Sequence, residues 1–157
     1  MKRNMKQWVT DYINAPTKKA MPILSFPGVQ LIGHTVEELV RSGELQAQCM
    51  KAIADRFDTG VAFSLMDLSV EAEAFGAPVH YSEDEVPTVH GTLIHDEDEA
   101  DALKVPKVGD GRTGECVEGI RRACELITDR PVLAGIIGPY SLSGRLLDMT
   151  EIMILCY

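Results

Sequence analysis

A carboxylate follows directly on an apolar, strand-like run in the stretch GVAFSLMDLS, residues 60–69. The run is rich in residues that favour strands, and it stops at Asp67. Two interpretations of this carboxylate are open. It can cap the short helix predicted over residues 69–75. It can also bind a ligand, because catalytic side chains of parallel barrels lie where the strands end.

The spacing of cysteines and histidines gives no support for a metal site. The chain has four residues of each type and contains no CxxC or HxC pair. We therefore assign no metal ligand and interpret the cysteines as buried apolar side chains. These residues are Cys49, Cys116, Cys124, Cys156, His34, His80, His90 and His95.

Composition restricts the kind of protein and the kind of partner. With 157 residues, 45% of them hydrophobic, the chain suits one globular domain over 1–157, in which 1–19 form an N-terminal helix and lead-in. The net charge of −9 argues against nucleic-acid or anionic-membrane partners. The apolar runs are shorter than the roughly 18 residues of a membrane span, and the N-terminus lacks the apolar core of a signal peptide. We expect a cytoplasmic protein.

Hydrophobic periodicity predicts the helices that would position these groups. Thr35 and Glu38 have the spacing of a capping box at the start of a long amphipathic pattern, which Ser42-Gly43 divides into two helices. The predicted helical segments are 4–14, 36–57, 69–75, 96–104, 115–127 and 141–157.

Apolar runs predict strands over 20–26, 60–66 and 131–138, the last of them buried on both faces. Residues 79–94 alternate weakly and indicate a short strand pair or an extended loop. Strands alternating with helices indicate an α/β fold with mostly parallel strands. A doubly wound sheet and part of a (β/α)8 barrel both fit this order. No GxGxxG or GxxxxGK[ST] motif indicates a nucleotide site.

The last predicted helix reaches apolar MILCY without a C-cap glycine. An apolar helix face needs a partner to cover it, so we expect the chain to be the first part of a longer protein. A complete (β/α)8 barrel takes about 250 residues, and the chain would then supply the N-terminal half of a TIM-type barrel.

Three stretches together resemble the uroporphyrinogen decarboxylase superfamily: PILSFPGVQLIG, FSLMDLSVEAEAFGAPVHYSEDEVPTV and VLAGIIGPYSLSGRLLDM. They are more narrowly similar to its cobamide-dependent branch, the methylcobamide:coenzyme M methyltransferase-like proteins. The resemblance covers nearly the whole chain but only the first half of such a protein. It implies a (β/α)8 barrel with the active site at the carboxyl ends of the strands.

The resemblance also implies roles for individual residues. In the decarboxylases an aspartate at the position of Asp67 binds the pyrrole nitrogens, so we predict Asp67 to be the catalytic residue. Pro27, Gly28, Tyr140 and Arg145 are the predicted substrate-binding residues at the strand ends. The chain departs from the decarboxylases in two places. The loop FPGVQLIGHTVEEL has no arginine to pair with substrate carboxylates, and Arg145 stands where those enzymes carry a tyrosine.

The methyltransferase branch therefore fits better. Its full-length members hold zinc with a histidine and two cysteines in the second half of the barrel, and they exchange a methyl group between a thiol and a corrinoid on a partner protein. This segment is expected to bind no cofactor and to be inactive alone, with zinc and a corrinoid implied for the full-length family. A porphyrinogen decarboxylase is one alternative. A non-catalytic half-barrel that forms a homodimer or binds a partner is another.

Overall fold

The computed structural model describes residues 3–157, so Met1 and Lys2 of the predicted lead-in lie outside the described residues. Within this part of the chain there are nine helices and four strands of two residues each. The helices are α1 Met5–Asn14, α2 Val29–Ile32, α3 Val36–Val40, α4 Gly43–Arg56, α5 Val70–Ala74, α6 Glu97–Asp101, α7 Thr113–Leu126, α8 Pro139–Leu146 and α9 Met149–Leu155. The strands are β1 Ala62–Phe63, β2 Val79–His80, β3 Thr88–Val89 and β4 Val132–Leu133.

Side-chain caps begin the first helices where the sequence predicts them. Thr35 and Glu38 form the complete capping box of α3, each side chain bonding the other residue's backbone N–H. Ser42 caps α4 by accepting a hydrogen bond from the N–H of Leu45. The break at Ser42-Gly43 and the helix over 4–14 are thus confirmed.

The strand predicted over 20–26 is wrong. These residues form no strand. The carbonyl of Ala20 accepts from the N–H of Gly60 at 2.9 Å, and the carbonyls of Leu24 and Phe26 accept from the N–H groups of the following turn. Pro22 removes one ladder donor from the segment, because proline has no N–H. A turn through Pro27 then leads into α2, which ends at Gly33 with a φ of 70°.

The parallel pair formed by β1 and β4 is the part of the sheet that positions the site. Ala62 lies opposite Val132 and Phe63 opposite Leu133. Beyond Leu133 the N–H of Gly135 bonds the hydroxyl of Ser64 instead of a strand carbonyl. The ladder is therefore shorter than the predicted strands over 60–66 and 131–138. Burial of 131–138 on both faces is also contradicted, since Ile136 is 75% exposed.

Helices α4 and α7 cover one face of this pair. Small side chains, among them Ala47, Ala54 and Ala123, line the contact and pack against Ala62 of β1. Small residues allow helix axes to approach closely. Gly43 and Gly119 lie directly in this crossing, and a side chain at either position would meet the other helix.

A long segment, 68–111, leaves the carboxyl end of β1 and returns at α7. It carries α5, the antiparallel pair β2–β3 and α6. The strand pair confirms one of the two interpretations of residues 79–94. A cluster of Ala72, Ala77, Ile94 and Leu146 packs the segment against α8.

The single helix predicted over 141–157 is wrong, because the chain breaks between α8 and α9. Leu147 is extended, and Asp148 accepts hydrogen bonds from the N–H groups of Thr150 and Glu151. The carbonyl of Leu146 bonds the N–H groups of Leu93 and Ile94, at 2.8 and 3.0 Å. The break thus ties α8 to segment 68–111. Across residues 3–157, no helix combines the length and apolarity needed to cross a membrane.

Candidate functional site

A buried arginine, Arg112, links three side chains at the base of segment 68–111. Its side chain is 6% exposed. Nη1 donates to Oδ2 of Asp67 at 2.5 Å, Nε to Oε2 of Glu73 at 2.5 Å, and Nη2 to Oγ of Ser69 at 2.8 Å. Arg112 directly precedes α7, whereas its three partners lie just after β1 and in α5. The guanidinium therefore joins the two ends of the segment.

Asp67 is held on both carboxylate oxygens. Its side chain is 2% exposed. Oδ2 bonds Arg112, while Oδ1 accepts from the N–H and the hydroxyl of Ser69, at 2.9 and 2.6 Å. Ser69 is the residue before α5 and makes no side-chain cap of its own. Asp67 thus fixes the turn that begins α5 rather than occupying the N-cap position.

The network continues outward from Glu73. The Tyr81 hydroxyl donates to Oε1 of Glu73 at 2.5 Å. The guanidinium carbons of Arg41 and Arg112 lie 3.9 and 5.0 Å from the centre of the Tyr81 ring. Burial and the hydrogen bond to Glu73 raise the pKa of Tyr81, which keeps the phenol protonated as a donor.

The two carboxylates keep Arg112 charged although it is buried. Burial by itself lowers the pKa of Arg112, but the hydrogen bonds and charges of Asp67 and Glu73 outweigh burial, and the pKa is raised. The cluster thus contains one cation and two anions. Buried charges of this kind are tolerated only when they are paired and hydrogen-bonded.

A cleft of about 270 Å³ lies beside Asp67, at the carboxyl ends of β1 and β4. Its walls are mainly apolar, and Asp67 and Glu71 provide its carboxylates. No lysine, arginine or histidine of the described residues lines it. The lining residues are Gln46, Ser64, Leu65, Met66, Asp67, Leu68, Val70, Glu71, Thr113, Cys116, Val117, Ile120, Ala134, Gly135, Ile136 and Ile137.

The cysteines are not uniformly buried, contrary to the prediction. Cys49 is buried and Cys116 is half-buried, whereas Cys124 and Cys156 are exposed on helix surfaces or ends. Cys116 lines the cleft, and burial raises its pKa to about 11, with the charges of Asp67 and Glu71 acting in the same direction. Cys116 is therefore a protonated thiol at neutral pH and a poor nucleophile.

The other predicted site residues lie outside the lining of this cleft. Pro27 is exposed, and Gly28 is buried with its Cα facing Ile53 and Cys49. Tyr140, predicted at a strand end, is 55% exposed in the first turn of α8, and Arg145 is exposed in its last turn. The structure thus brings Asp67 to the cleft without these four.

Zinc does not fit the described residues. Within residues 3–157, no group of three or more His, Cys, Asp and Glu side chains could hold a metal ion. His80 and His90 contact each other on the β2–β3 pair without a third ligand.

Sequence reasoning missed Arg112, Glu73 and Tyr81. Arg112 follows Gly109 and Gly111, whose φ values of 103° and 53° shape the turn before α7. A lone arginine between glycines in a polar loop was the available signal. This signal does not identify the residue that Arg112 pairs with, since Asp67 lies 45 positions away in the sequence.

Comparisons with known proteins agree with this architecture. A family model described as uroporphyrinogen decarboxylase (URO-D) matches residues 7–157. A solved methyltransferase from Methanosarcina mazei superposes with a TM-score of 0.77 at 19% identity, covering 98% of this chain and 48% of that chain. No curated protein matches the chain. The chain thus spans about half the length of the solved structure. The superposition and the family match together confirm the fold predicted as part of a (β/α)8 barrel.

Proposed function

Because the chain belongs to the uroporphyrinogen decarboxylase family, we propose that it forms the N-terminal part of an enzyme that transfers a methyl group between a corrinoid protein and a thiol or related acceptor. The fold shared with a methyltransferase supports this proposal at the level of architecture. The choice within the family rests on the charges around Asp67.

The observation that carries the proposal is the absence of basic side chains from the cleft lining among the described residues. A substrate with many carboxylates needs fixed cations. The buried cation Arg112, which directly precedes the cleft-lining residue Thr113, is already paired with Asp67 and Glu73. Two carboxylates in an apolar cleft would repel the many carboxylates of a porphyrinogen, whereas the transferred methyl group carries no charge.

In this function Asp67 contacts the substrate from the edge of the cleft. Its carboxylate accepts three hydrogen bonds, two from Ser69 and one from Arg112, and keeps capacity for another donor. The apolar walls exclude water from the transferred group. Zinc would be held by residues outside 3–157, and the corrinoid would be presented by the partner protein.

The test is an assay of methylcobalamin consumption with 2-mercaptoethanesulfonate as the thiol. It uses the protein as its gene encodes it, supplied with zinc. We expect turnover that falls about a hundredfold in Asp67→Asn, because the substitution removes a charged acceptor from the site. Asp98→Asn, at an exposed position of α6, is the matched control and should leave turnover unchanged.

Two results would contradict the proposal. Decarboxylation of uroporphyrinogen without methyl transfer would assign the chain to the decarboxylases. Methyl transfer that is unchanged in Asp67→Asn would remove Asp67 from the site while leaving the reaction in place.

A further inference from the structure

We propose that Arg112 is a positioning residue, which fixes the orientation of the Asp67 carboxylate beside the cleft and closes the base of segment 68–111. The expected effect of Arg112 on methyl transfer rests on the function proposed above. The expected effect of Arg112 on the structure around Asp67 does not, and the two effects are measured separately.

The guanidinium of Arg112 holds its partners by its geometry. Arg112 uses a different nitrogen for each of three acceptors, on Asp67, Ser69 and Glu73. A planar fork with fixed donor directions holds its acceptors in one arrangement, which a lysine ammonium cannot reproduce. The orientation of Asp67 therefore depends on the shape of the Arg112 side chain as well as on its charge.

The side chains around Asp67 form a closed cluster. Ser69 accepts from Arg112 and donates to Asp67, so the three side chains form a ring of hydrogen bonds. Within this ring neither oxygen of Asp67 can rotate without losing a bond. A side chain that must present an acceptor to substrate gains from such support, because a small displacement of a reacting group is costly.

The position of Arg112 in the chain links the cluster to the cleft. It lies directly before α7, and α7 contributes Thr113, Cys116, Val117 and Ile120 to the cleft. One residue therefore connects the wall of the cleft to the carboxylate at its edge. Segment 68–111 begins and ends at this connection.

The experiment compares wild type with Arg112→Lys, which keeps the charge and loses the fork. Carboxylates are labelled with a carbodiimide and glycine ethyl ester, and labelling of Asp67 is measured by peptide mass spectrometry. We expect Asp67 to be protected in wild type and labelled about tenfold faster or more in Arg112→Lys, since local opening then exposes it. Arg121→Lys, at an exposed position of α7, is the control and should not change labelling.

A second variant separates positioning from folding. In Arg112→Ala, free guanidinium at concentrations far below denaturing ones should restore the protection of Asp67, whereas potassium chloride of equal ionic strength should not. In the methyl-transfer assay Arg112→Lys should lower kcat with KM little changed.

Three outcomes would overturn the proposal: unchanged Asp67 labelling in folded Arg112→Lys, restoration by potassium chloride as well as by guanidinium, or loss of the fold in both variants, which would make Arg112 a purely stabilising residue. If wild type shows no methyl transfer but the labelling results hold, the proposed function fails and the positioning role stands.

Discussion

At the scale of single residues, the charges of the buried cluster do not cancel. Arg112 carries one positive charge, and Asp67 and Glu73 carry two negative charges. The Tyr81 hydroxyl donates a hydrogen bond to Glu73 and so stabilises part of the excess negative charge. Removing Arg112 leaves the carboxylates without their cation, and an unpaired buried charge typically costs about 3–5 kcal/mol. The arrangement is therefore most sensitive to Arg112, so the stability of the fold and the positioning of Asp67 must be measured separately.

The buried thiol of Cys49 makes stability depend on alkaline pH. Burial raises its pKa from 9.0 to about 11. Between these values the unfolded chain releases the thiol proton and the folded chain keeps it, so the stabilisation is complete below the lower pKa and is lost as pH rises through the upper one. We expect Cys49 to account for about 2–3 kcal/mol of this loss.

Urea unfolding at about pH 8 and about pH 10.5 measures the effect. Cys49→Ala should lose less stability between these two pH values than wild type does. Cys124→Ser changes an exposed thiol and should behave like wild type. An equal alkaline loss in Cys49→Ala would show that other groups cause it.

At the scale of elements, α3 depends on its capping box. The Thr35 hydroxyl accepts from the N–H of Glu38 at 3.1 Å, and the Glu38 carboxylate accepts from the N–H of Thr35 at 3.0 Å. Thr35→Ala leaves a helix donor without its partner, and we expect a loss of about 1 kcal/mol in the free energy of unfolding. Thr128→Ala, at an exposed position, should stay within about 0.5 kcal/mol of wild type in the same urea titration. A free energy of unfolding that is lower in Thr128→Ala but unchanged in Thr35→Ala would contradict the role of this cap.

Local signals predicted the elements well where the determinant is local. Thr35 and Glu38 are three residues apart, and both groups of the cap are visible in the sequence. The cap at Asp148 is equally local, but the apolar residues around it continue the helical period and hid it. The strand ladder is not local, because β1 pairs with β4 about 70 positions along the chain. Neither the ladder length nor the partner of Asp67 could be read from sequence.

At the scale of the whole molecule, the crossing of α4 and α7 sets the position of the site. Gln46 of α4 and four residues of α7 line the cleft, and Arg112 directly precedes α7. The N–H of Gly43 donates to Oε2 of Glu115 at 2.7 Å across this crossing. The distance between the two helices therefore fixes where the guanidinium meets Asp67.

Gly43→Ala tests this dependence. A Cβ at Gly43 would lie 2.6 Å from the carbonyl oxygen of Glu115 and 2.9 Å from the backbone nitrogen of Gly119. Backbone atoms cannot rotate away, so the helices must separate. We expect a loss of about 1–3 kcal/mol in the free energy of unfolding, although alanine favours helix over glycine by about 1 kcal/mol.

The same separation would move Arg112, so carbodiimide labelling of Asp67 should rise in Gly43→Ala. Gly138→Ala is the matched control, because Gly138 has a φ of −74° and its Cβ would meet no atom within 4 Å. Gly138→Ala should keep both stability and Asp67 protection. If Gly43→Ala lowered stability and left Asp67 protected, the crossing would support the fold without setting the site. Lower stability together with faster Asp67 labelling in Gly43→Ala would show that the approach of the two helices sets the position of the carboxylate at the strand end.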